Sequence, residues 1–211
     1  MIEELLRALG ETLYMVSVST VLSVAFGFAL AVVLVLTRKG GLAPHRGVYE
    51  SLSFAVNLLR SFPFIILLIA LIPLTRALVG TSIGSTASIV PLTLAAVPFV
   101  ARIMEGSLLE VDPGVVEAAR SFGAGNRCIV FRVLVAEALP ALVLDVAVVA
   151  INLLGYSAMA GVVGGGGLGD LAIKYGYNRF QTDVMIQSVV LLILVVQVMQ
   201  SLGDRIHRRL R

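Results

Sequence analysis

Apolar residues along this chain come in long blocks separated by short polar breaks, without the alternation of a half-exposed strand. Five blocks approach the roughly 20 residues needed to cross a bilayer core as helix. They run from about Thr12 to Leu36, Ser51 to Leu74, Ser85 to Met104, Ala138 to Met159 and Val184 to Leu202. Backbone in lipid must satisfy its own hydrogen bonds, and barrel strands would alternate polar and apolar residues, so the blocks predict an all-α integral membrane fold of about five transmembrane helices. The chain, residues 1–211, is read as one transmembrane domain.

The longest polar interruption runs from Glu105 to Glu137, between the third and fourth blocks. Inside it, Asp112 followed by Pro113 is a helix start, with Asp as N-cap and Pro at the first helical position. Gly123 is a natural C-terminal stop. A helix of about three turns is expected between them, with Val115, Val116, Ala119 and Phe122 on one face. So short a helix is marginal alone and requires a surface to dock on.

Composition agrees with the pattern: 58% of residues are hydrophobic and 14% charged, far from the globular norm of about 45–50% and about 25%. A single cysteine, Cys128, excludes an internal disulfide framework and a multi-cysteine zinc site, so no metal ligand set is assigned. The start Met1-Ile2-Glu3-Glu4 lacks the basic opening of a secretory signal, so the first block is expected to be retained. Ile2 to Leu9 is amphipathic and is expected to pack along a neighbouring subunit or the membrane surface.

The net charge of +3 does not point to nucleic acid, because basic residues sit at block ends. Eleven of them (Arg38, Lys39, Arg46, Arg102, Arg120, Arg127, Arg132 and the four C-terminal arginines from Arg205 to Arg211) fall on one side of the predicted topology. Four, Arg7, Arg76, Lys174 and Arg179, fall on the other. The positive-inside rule predicts an external N-terminus, a cytoplasmic C-terminus and a cytoplasmic Glu105–Glu137 loop.

Within that loop, Glu117-Ala118-Ala119, three residues, then Gly123 resembles the EAA loop of binding-protein-dependent ABC importer permeases. Alone, the tripeptide is an ordinary helix former. In the family the loop forms a coupling helix seated in a groove of the ATPase, which makes Glu117, Ala118, Ala119, Arg120, Phe122 and Gly123 candidate ATPase-coupling residues. The family pattern then places Leu-Pro where this chain has Val135-Ala136; Leu139-Pro140 resembles its second proline.

The resemblance extends from about Glu11 to Arg205. Leu59-Arg60-Ser61-Phe62-Pro63-Phe64 is similar to the second-span signature of amino-acid importers. Ile72-Pro73-Leu74-Thr75-Arg76, Gly80-Thr81-Ser82-Ile83-Gly84, Ile89-Val90-Pro91-Leu92-Thr93 and Gly155-Tyr156-Ser157-Ala158-Met159 together resemble the methionine-type permease. The resemblance implies a homodimer of permeases in the bacterial plasma membrane, on a dimer of ATP-binding ABC subunits and fed by an external methionine-binding protein. ATP and magnesium would then belong to the partner ATPase, with no cofactor in this chain. A permease for another amino acid, or an ion-gradient-driven secondary transporter, is the alternative. The latter would show several buried carboxylates and internal repeats, whereas Asp145 is the only carboxylate well inside a block.

Polar residues within the blocks are candidates for the translocation path or its gate. Arg60 either snorkels to the interface or braces the path. Asp145 and Asn152 either line the path or hydrogen-bond between helices. Tyr156 and Met159 are assigned to an external gate. Gly27, Ala29, Ala31, Ala95, Ala96, Ala147 and Ala150 are expected to allow close helix packing.

Gly164, Gly166 and Gly169 match the spacing G-x-G-x-x-G but follow an apolar block, not a strand, and are read as a flexible external loop before a short helix around Asp170 to Tyr175. No phosphate-loop pattern occurs, so ATP hydrolysis is not assigned to this chain. His45 and His207 are read as surface residues, and no nucleophile, base and orienter trio is identifiable.

Overall fold

The computed structural model describes residues 2–210; Met1 and Arg211, the latter among the C-terminal basic residues, lie outside it. Every regular element among the described residues is helical: α1 (Ile2–Thr37), α2 (Arg46–Arg60), α3 (Phe64–Ala70), α4 (Ile72–Val79), α5 (Ser85–Leu109), α6 (Pro113–Ser121), α7 (Asn126–Cys128), α8 (Val135–Ala160), α9 (Gly167–Leu171) and α10 (Thr182–Leu210). Helical π turns at Ile129–Leu134 and Ala172–Tyr177 prolong α7 into α8 and extend α9. Among the described residues, four helices are long and apolar enough to cross a membrane: α1, α5, the continuous run Asn126–Val163 and α10.

The second block departs from the expected single helix. Arg60 ends α2, and α3 leaves at 101°, so the pair makes a fifth span only as a broken one. Pro63 supplies the reason, because it has no N–H to continue the ladder and disfavours helical backbone at Phe62.

The polar interruption is also shorter than expected, since α5 continues to Leu109 and α7 begins at Asn126. Where the family pattern has Leu-Pro, Val135-Ala136 keep the helix unbroken behind the π turn.

Close packing of α1 against α5 forms the centre of the molecule. Gly27 permits it: a Cβ there would stand 2.5 Å from Cβ of Val100. Ala31, Ala96 and Val100 are buried along the same seam, while Ala29 faces outward, contrary to its assignment to a helix interface. Gly203 of α10 similarly leaves space for Ala147 of α8, 2.6 Å from where its Cβ would be.

The N-terminal turns of α1 are continuous with the first span. Leu5 and Ala8 are buried against Leu168 of this same chain, while Ile2 and Leu6 of the same segment are exposed. Glu11 Oε2 accepts from Gly167 N at 2.9 Å and Thr12 Oγ1 from Leu168 N at 2.8 Å, which satisfies the start of α9. The glycine segment is thus packed, not loose. A Cβ on Gly169 would collide with the Ala158 backbone, which places α9 directly on α8.

At the opposite end, Asn126 Nδ2 donates to the Leu42 carbonyl at 3.2 Å, joining the α1–α2 loop to the start of α7. His45 is exposed, as read, and His207 is partly buried. His45 Nδ1 caps α2 by accepting from Val48 N, and the His207 ring lies 2.8 Å from the Pro140 carbonyl, tying α10 to α8.

Candidate functional site

The first site is the short helix α6. Asp112 Oδ1 accepts from Gly114 N at 2.8 Å, the expected N-cap. At the other end Gly123 takes φ +80, its N–H bonds to Arg120 O, and Ala124 N–H bonds to Ala119 O. That pair of reversed bonds closes the last carbonyls as a left-handed glycine cap does.

The face that docks on the body is narrower than the helical spacing suggested. Val116 and Ala119 pack against the main core, whereas Val115 is exposed and Phe122 is 91% exposed. Ala119 is therefore half-buried within the chain, and Glu117, Ala118, Arg120, Phe122 and Gly123 are exposed. Glu117 and Arg120 border a 160 Å³ groove whose far wall is Arg38 and the glycines of the α1–α2 loop. The capped helix thus presents a phenyl ring, a carboxylate and a guanidinium beside this groove.

The second site lies at the bend between α2 and α3. A cavity of 240 Å³ is lined by Arg60, Asn152 and Tyr156, and by the aromatic rings of Phe62, Phe64 and Phe99. Three of the five path or gate candidates thus come together from α2 and α8. Phe64 stacks on Tyr156 with ring centroids 4.5 Å apart and planes within 2°. Phe64 belongs to the second-span signature but carried no site role in the sequence, and Phe99 looked like one more apolar residue of a span.

The other two candidates lie elsewhere. Asp145 is 7% exposed and accepts a 2.6 Å hydrogen bond from Ser107 Oγ, pinning α8 to α5 outside the cavity. Met159 is 49% exposed and does not join Tyr156 at the cavity wall.

A polar cluster beside these sites escaped sequence reasoning. Arg102 Nη1 lies 2.7 Å from Glu105, which is 3% exposed, and Arg102 Nη2 reaches Ser53 Oγ at 2.8 Å and Asn57 Oδ1 at 3.0 Å. It cross-links α5 to α2 one turn before Arg60. The i,i+3 spacing of Arg102 and Glu105 was its only signal.

Comparison with known proteins agrees with this arrangement. A family model described as the binding-protein-dependent transport system inner membrane component matches residues 23–211. The probable D-methionine transport system permease protein MetI of Vibrio cholerae is 49% identical over 205 residues, covering 97% of this chain and 91% of that protein. The methionine import system permease protein MetP of Bacillus subtilis is 42% identical over 203 residues, with 96% and 91% covered. Among solved structures, a chain of the MetNI methionine ABC transporter in inward-facing conformations superposes with a TM-score of 0.99 at 46% identity, covering 100% of this chain and 98% of the other. The chain belongs to the family of binding-protein-dependent transport system inner membrane components.

Proposed function

We propose that this chain is the permease subunit of an ATP-driven ABC importer that carries methionine across the bacterial inner membrane. It acts as one transmembrane domain, paired with a second copy and seated on a dimer of ATPase subunits that bind ATP and magnesium. An external methionine-binding protein delivers the substrate. Relatives that bear methionine-transport names and align over nearly the whole chain support the substrate assignment.

The observation that carries the mechanism is α6, capped at both ends and presenting exposed Phe122, Glu117 and Arg120. It is the coupling helix. ATP-driven closure of the partner moves it, and its contacts through Val116 and Ala119 pass that motion to the π turn and α8. Arg60, Asn152 and Tyr156, gathered at the broken span, line the translocation path, and Asp145 and Met159 support it from α8.

The orientation follows from charge. The loop of Arg38 and Lys39, the segment of Arg120 and Arg127, and the C-terminal arginines belong to the same end of the bundle, through Asn126 to Leu42 and His207 to Pro140. That basic end is cytoplasmic, which leaves the N-terminus outside.

The test is reconstitution: permease and ATPase in liposomes should take up labelled methionine only with ATP inside and the binding protein outside. Uptake by the permease alone, driven by an ion gradient, would overturn the assignment.

A further inference from the structure

The cavity at the bend holds a cation without a counter-ion. The Arg60 side chain makes no hydrogen bond or ion pair among the described residues, and no carboxylate lines the cavity. Arg60 is exposed where it ends α2 at the broken span. An arginine within a span ordinarily finds a partner or an aqueous cavity.

The cavity lining combines two chemistries. Asn152 and Tyr156 offer an amide and a hydroxyl, and the stacked Phe64 and Tyr156 pair, Phe62 and Phe99 offer aromatic surface. Its 240 Å³ is ample for a group the size of one amino acid.

We infer that Arg60, Asn152, Tyr156 and Phe64 form a binding site for a single amino acid within the span, in which Arg60 takes the α-carboxylate. A guanidinium matches a carboxylate through two parallel hydrogen bonds. The thioether then lies against the aromatic rings, a favourable sulfur contact. The ammonium meets only the Asn152 amide oxygen, the Tyr156 hydroxyl and ring faces, all neutral acceptors. Recognition at this site therefore depends on the carboxylate far more than on the amine. The inference rests on the methionine-permease reading.

The experiment uses the permease–ATPase complex in lipid nanodiscs, without the binding protein, and a diazirine analogue of methionine as photolabel. Adducts are expected on permease peptides containing Phe64 or Tyr156. Methionine and N-acetylmethionine should displace them, and methioninamide, which lacks the carboxylate, should not. In Arg60→Gln, labelling in nanodiscs should fall at least tenfold, as should ATP-driven uptake by the same complex in liposomes supplied with the binding protein, and Arg60→Lys should recover part of each. Equal displacement by methioninamide in the wild-type complex, which needs no variant to fold, would overturn the site. So would undiminished labelling of Arg60→Gln. If the wild type takes up methionine normally while either result holds, only the site is lost; if the wild type takes up none, the methionine reading falls with it.

Discussion

Arg102 and Glu105, one turn apart on α5, form a 2.7 Å ion pair whose carboxylate is 3% exposed and whose guanidinium also holds Ser53 and Asn57 of α2. The broken span thus meets the central helix through a polar clamp, set among apolar neighbours. Arg102→Met would strand the Glu105 carboxylate, and loss of one partner of such a pair costs about 3 kcal/mol. Arg102→Met/Glu105→Met should recover most of that loss. Thermal unfolding of the detergent-solubilised protein, single against double variant, measures both.

Phe122 is predicted to matter for assembly and not for folding. Its ring is 91% exposed, so Phe122→Ala should change permease stability by no more than about 0.5 kcal/mol. Co-purification of the ATPase with the permease should nevertheless fall severalfold. Unchanged co-purification would remove α6 from the interface.

Gly123 tests whether the geometry of α6 transmits motion. No atom lies within 4 Å of a Cβ built there, so a substitution meets no clash and only the left-handed backbone resists it. Gly123→Val should cost about 1–2 kcal/mol locally and loosen the helix end. Methionine taken up per ATP hydrolysed should drop, and Gly123→Asn, which tolerates that backbone, should retain most of the coupling.

Gly27→Leu is expected to be strongly destabilising. Its Cβ alone would stand 2.5 Å from Val100 Cβ at the α1–α5 crossing, where Val100 is fully buried. Overpacking of this kind typically costs about 1–3 kcal/mol, with more where backbone must shift. Gly27→Ala/Val100→Ala should be closer to wild type in thermal unfolding than Gly27→Leu.

The long apolar blocks determined the helical membrane fold, because hydrocarbon leaves the backbone no other partner than itself. Asp112, Pro113 and Gly123 determined both ends of α6, since capping is decided by residues within a turn of the helix end. The bend after Arg60 was written locally too, in Pro63, but the apolar run on either side concealed it.

What remained was decided between elements distant in the chain. Only the folded arrangement separated Val116 and Ala119, which pack inward, from exposed Val115 and Phe122. It likewise gathered Arg60 with Asn152 and Tyr156, yet turned Asp145 to Ser107 and left Met159 outside. Helical spacing assigns a residue to a face of its own helix, but which face meets a neighbour depends on where Gly27, Gly169 and Gly203 let helices approach. That is a property of pairs of surfaces, which no single stretch of sequence contains.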